Sequence, residues 1–349
     1  MLEREDGKMS VFQYPIWNKK YFDGFPEKMQ ALYEKSMNYY HNRLDEGVLY
    51  SLDDKEMDEE AIRAFFPSLE YYFVSLFELG LVTSHNFPTI LEQIKSIRLF
   101  KVLPYRERNY YGLTTNREIS IDSSMYGIFG FSKEEFRELI IAHELCHIIN
   151  FHWIDERDAF CDKLYQVDSV KRLLNKMNLG NPRYLRAGFS LLDEVMAQEI
   201  AEEITYKLAK KKRPEKEIRN DKEIFNHQEY STNFLLYGEM QEFGEKFARE
   251  LSFLNVKDSD NGSQVIQKLA RESFDKDFIK KFEMEFMNHP EKVEFLAVLL
   301  ACMGRIKEAT YHRIGLSDDN KGLDVTSYVR IFNGVIQLKD KINKEEKTK

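Results

Sequence analysis

The chain has 349 residues, and its 43% hydrophobic content, with 26 Phe and 19 Tyr, can fill one large core or two ordinary ones, which excludes a disordered or fibrous protein. A formal net charge of −8 argues against a general nucleic-acid role, because phosphate affinity comes from clustered Lys and Arg. Three cysteines, Cys146, Cys161 and Cys302, are too few and too odd in number for a disulfide framework and point to a reducing compartment, by default the cytoplasm. The opening MLEREDGKMSVFQYP has acidic residues where a secretory leader carries basic ones, so no targeting peptide is expected.

Taken in chain order, residues from about 15 to 90 carry apolar side chains at helical spacing: Tyr33, Met37 and Tyr40, then Leu69, Tyr72, Phe73 and Phe77. Breaks are expected at Pro67 and Gly80. This predicts a helical N-terminal region over 1–92. Ile97 to Leu103 reads as a strand, and the runs 110–113 and 118–122 read as a hairpin about a turn at 114–117. Ser132-Lys133-Glu134-Glu135 is a capping box, in which hydroxyl and carboxylate satisfy helix-start amides, and it predicts a helix over about 133–152. A second helix over about 156–178 should stop at Leu179-Gly180-Asn181-Pro182. Ser190-Leu191-Leu192-Asp193 then signals the start of a third, running to about 211. Its basic end, Lys207, Lys210, Lys211, Lys212 and Arg213, complements the helix dipole. A central region over 93–212 and a helical C-terminal region over 213–349 follow from this pattern. The uncharged run Phe295 to Met303 falls short of the roughly 20 residues that cross a bilayer and predicts a buried helix, so no membrane partner is expected.

Chemistry enters at His143-Glu144-Leu145-Cys146-His147. Residues four apart lie one turn above each other on a helix, so His143 and His147 can aim two imidazole nitrogens at one metal ion. Glu144 then projects beside that point and suits a base acting on water. The surrounding stretch is apolar, and two His and a Glu buried there without partners would cost several kcal/mol.

A catalytic zinc site needs a third protein ligand and an open position. The extended metzincin pattern places a Gly and a His where Asn150 and Trp153 stand, with His152 one residue out of register. A deformylase pattern needs an upstream cysteine, and none precedes Cys146. The best candidate is a carboxylate on a later helix, Glu194, 47 residues after His147, with Asp158, Asp162 and Asp168 as alternatives nearer in sequence. Glu199, Glu202 and Glu203 share the helix of Glu194.

Over about 96–205 the chain resembles gluzincin-type zinc metallopeptidases. The resemblance is carried by His143 to His147, by Glu194 with the small Ala197 after it, and by the preceding hairpin, which resembles the edge strand of a zincin cleft. It implies an α+β, mostly α, zincin-like fold with a small sheet beside the active-site helix. It also implies one Zn2+ per chain on His143, His147 and Glu194, with Glu144 as general base and a peptide or protein substrate. Many members carry an acidic residue one turn after the ligand Glu to accept from a ligand His, and this chain has Gln198 there. An oxyanion donor is also expected, with Tyr184, Tyr230 and His227 as candidates by position. The alternatives are a catalytically inactive zincin-fold regulatory or protein-binding module, a metal-free helical interaction protein, and a hydrolase of non-peptide bonds.

Overall fold

Helical periodicity sets the N-terminal layer. The computed structural model describes residues 19–45, 59–103, 112–115, 117–122, 132–212, 232–313 and 325–347. Helices α1 (Glu27–Asp45), α2 (Glu59–Glu78) and α3 (Phe87–Lys95) bury Tyr33, Met37, Leu69, Tyr72, Phe73 and Phe87. Phe22, Phe77 and Phe87 meet edge-on, with ring centroids 5.5 to 5.7 Å apart. Gly80 ends α2 as expected: at φ +66° its amide donates to the Phe77 carbonyl, and the Leu81 amide reaches back to Leu76, which caps the last turn. The break expected at Pro67 does not occur, and α2 runs through it. Leu69, Tyr72, Phe73 and Leu76 beyond it are fully buried, and at roughly 1.5–3 kcal/mol each they outweigh the ~3 kcal/mol cost of a proline inside a helix.

The β region is a three-stranded sheet in the order β1-β3-β2, formed by β1 (Leu99–Leu103), β2 (Gly112–Thr115) and β3 (Glu118–Asp122). β1 and β3 run parallel, and β2 pairs antiparallel with β3, Thr115 opposite Glu118. The hairpin is therefore present, but Thr114 and Thr115 lie in its first strand, and Arg117 makes the turn at φ +67°. Ile119 and Ile121 point into the core.

The capping box at Ser132 forms as expected: its hydroxyl accepts from the Glu135 amide at 3.2 Å, and Glu135 accepts from the Ser132 amide at 2.7 Å. From it runs α4 (Lys133–Asn150), buried almost all round. The segment expected as one helix over 156–178 is two, α5 (Ile154–Gln166) and α6 (Asp168–Lys176), separated by the extended Val167. Asn178, at φ +58°, caps α6 in place of the expected glycine. The next helix, α7 (Arg183–Lys212), starts seven residues before Ser190, so Ser190 to Asp193 lie inside a helix and cap nothing. Its start is set by Asn181, whose side chain accepts from the Arg183 amide at 3.0 Å, followed by Pro182.

The C-terminal part adds α8 (Thr232–Ala248), α9 (Gly262–Ser273), α10 (Phe278–Asn288), α11 (Val293–Arg313) and α12 (Val325–Lys347). Leu296 to Met303 within α11 are buried, as the apolar run predicted. Among the described residues no helix is long and apolar enough to cross a membrane. Buried side chains of all three regions, from Phe22 to Phe332, belong to one contiguous cluster.

Helices α7 and α11 meet backbone to backbone. A Cβ on Gly304 would stand 1.8 Å from the Tyr184 carbonyl oxygen, and one on Gly188 would stand 2.2 Å from that of Leu300. Gly304→Ala must push the helices apart and is expected to destabilise the protein by about 1–3 kcal/mol, read from urea unfolding. An unchanged midpoint would show that the contact has slack.

Candidate metal centre

His143 and His147 stand one turn apart on α4, facing α7, with their Nε2 atoms 3.0 Å apart. Glu194 of α7 closes the triangle: its Oε2 lies 3.5 Å from Nε2 of His143 and 3.6 Å from Nε2 of His147. Among the described residues these three form one of two groups able to hold a metal ion. A point equidistant from three atoms so spaced, and in their plane, is about 2.0 Å from each. That distance matches the 2.0–2.2 Å usual for zinc with nitrogen and carboxylate oxygen. The two-imidazole, one-carboxylate donor set and its spacing thus fit zinc.

A second layer of side chains fixes this triangle. Asp193 takes the other nitrogen of His147, with Nδ1 and Oδ2 2.7 Å apart, while its Oδ1 accepts from the Asn150 amide at 2.6 Å. Asn150 in turn accepts from the Ser273 hydroxyl at 3.1 Å, which ties the C-terminal α9 to the site. With Nδ1–H given to a carboxylate, Nε2 of His147 is left as the lone-pair donor a metal requires. Lys307 of α11 reaches Oε1 of Glu194 at 3.4 Å.

The electrostatics follow. Burial disfavours a charged His147, but the carboxylates of Asp193 and Glu194 outweigh it and hold its pKa well above the usual imidazole range. Burial likewise opposes the charge on Glu194, yet Lys307 and the two histidines hold its carboxyl well below the usual range. Glu144 shifts the other way, pushed up by burial and only partly pulled back by His143 and His147. The edge strand β2 covers it: a Cβ on Gly112 would lie 2.5 Å from Oε1 of Glu144, and Thr114 donates to the Glu144 carbonyl at 3.3 Å. Only glycine lets the strand approach this closely.

Of the residues singled out in the sequence, His143, Glu144, His147 and Glu194 come together, and Ala197 is fully buried. Tyr184 does not join them. It lies ten residues before Glu194 on α7, a rise of about 15 Å, and its hydroxyl accepts from Arg305 at 2.8 Å. His227 and Tyr230 lie outside the described residues. Asp158 and Asp162 are paired with Arg157 and Arg186. Gln198, which stands where many gluzincins carry an acid, donates to Glu202 at 2.6 Å, and the carboxylate on His147 is that of Asp193. Asp193, Asn150, Ser273 and Lys307 escaped sequence reasoning. Only Asp193 left a signal, as an acid beside the candidate ligand. The second group, His85, Asp275 and Asp277, already has cations on both acids, Lys281 on Asp275 and Lys280 on Asp277.

The chain matches no protein family, no curated protein and no solved structure to which it was compared.

Because Asp193 and Glu194 raise the pKa of His147 well above its usual range, a metal binding its Nε2 must displace a proton. Zinc affinity is therefore expected to fall with pH below the raised pKa, by up to about tenfold per unit. Asp193→Asn should weaken zinc about 10- to 100-fold and release fewer protons on binding, both measurable in a chelator-competition titration across pH. Equal affinity in wild type and variant would remove Asp193 from the site.

Proposed function

We propose that this chain is a zinc-dependent peptidase of the gluzincin type, with His143, His147 and Glu194 holding one zinc ion and Glu144 as general base. The observation that carries the reading is the convergence of three donor atoms within 3.6 Å of one another, with a buried carboxylate next to the first ligand. A zincin-like fold is part of the same reading: a hairpin edge strand lies over Glu144, and the ligand helices pack side by side.

When bound, zinc supplies Lewis acidity to a carbonyl and to water, whose pKa it brings toward about 7. Glu144 takes the proton of the attacking water and passes it to the nitrogen of the leaving amine. Burial raises its pKa, which moves it toward the working range of such a proton carrier. Asp193 holds the Nδ1 proton of His147 and keeps that ring turned to the site. His227 and Tyr230 stay the candidates for binding the oxyanion. The substrate class is a peptide or unstructured protein, and the compartment is a reducing one such as the cytoplasm, in keeping with three free, buried cysteines.

The neutral Gln198, which prompts an inactive reading, is bonded to Glu202 rather than to a ligand histidine, and Asp193 supplies the charged partner instead. Glu144→Gln is expected to keep its zinc and lose turnover by at least about a hundredfold, assayed on a panel of unstructured protein substrates. Undiminished cleavage by the variant would remove Glu144 from the mechanism, and zinc with no cleavage by the wild type would favour a binding module.

A further inference from the structure

Lys307 lies on α11, 113 residues from Glu194 in sequence, and is 9% exposed. A lysine is rarely buried to this degree unless a paired charge repays its lost hydration. Its ammonium rests on Oε1 of Glu194, whereas Oε2 of the same carboxylate faces both imidazoles. The two oxygens of a free carboxylate are equivalent, and a divalent cation can take either one or both. In this site they are not equivalent. The neighbouring Asp193 is divided in the same manner, Oδ2 to His147 and Oδ1 to Asn150.

We propose that Lys307 is a positioning residue that withholds Oε1 of Glu194 from the metal, so that Glu194 binds through Oε2 alone and a coordination position stays open for substrate and water. The proposal rests on the metalloenzyme reading above. Here the ammonium lies on Oε1 while the imidazoles face Oε2, and the close α7–α11 contact at Gly304 lies about one turn before Lys307 on the same helix. The open position that a catalytic zinc site requires would then be guarded by a residue of the C-terminal helices rather than by a ligand.

Cobalt(II) in place of zinc reports this directly, because its visible absorption is strong in four-coordinate sites and weak when coordination rises. Wild type loaded with one cobalt is expected to absorb strongly. Lys307→Met, at equal cobalt content, is expected to lose absorption severalfold as Glu194 closes on the metal with both oxygens, while Lys307→Arg, which keeps the charge, restores it. If Lys307→Met does not fold, Lys307→Gln carries the test with the same expected loss. Absorption of wild-type strength in Lys307→Met or Lys307→Gln overturns the proposal, as does weak absorption in the loaded wild type. A wild type that takes up neither cobalt nor zinc overturns the metalloenzyme reading itself, and this inference with it.

Discussion

Two adjacent carboxylates, Asp193 and Glu194, face two imidazoles across the contact between α4 and α7, and the balance of charge among these four groups constrains everything around them. Two negative charges buried without partners would cost several kcal/mol and more. The Asp193 and Glu194 carboxylates hold the pKa of His147 well above the usual imidazole range, and the ammonium of Lys307 lies against Glu194. A bound divalent cation would take over the proton's share. On the proposed reading, a metal binding this site exchanges for the proton on His147.

The rest of the fold serves this contact. α4 is enclosed by α2, by the sheet and by α7, and its capping box fixes where the first turn starts and hence which way His143 and His147 face. α7 is pressed by α11 at Gly188 and Gly304 and by α8 at Gly244, where a Cβ would lie 2.9 Å from Val195, the residue after Glu194. Asn150 and Ser273 carry the arrangement on to α9. Close packing of α7 against α4, α8 and α11 turns a two-helix contact into a defined set of donor atoms.

The meeting of His143, His147 and Glu194 was partly legible because its pieces are local. The spacing of His143 and His147 is a helix turn, and the capping box ahead of them marks the helix without tertiary information. Glu194 needed a second helix at the right separation, which the interval after His147 allowed. The misreadings share one cause, local signals with two meanings. Asn181-Pro182 signals a stop for the preceding helix and also starts α7, so the capping pattern at Ser190 to Asp193 falls inside a helix that does not need it. That error hid Asp193, whose carboxylate points at His147. Pro67 was read for its local cost, which the burial of the following turns outweighs. Lys307 carries no local signal, since its partner is set by the crossing of two distant helices.

The central claim is that the His143, His147 and Glu194 triangle is a metal site, and the most direct test is metal content. Purified, extensively dialysed wild type is measured by elemental analysis beside Glu194→Ala, before and after reloading with zinc. About one zinc per chain in the wild type, reduced in the variant, is the expected result. No zinc in either protein, even after reloading, would contradict the account.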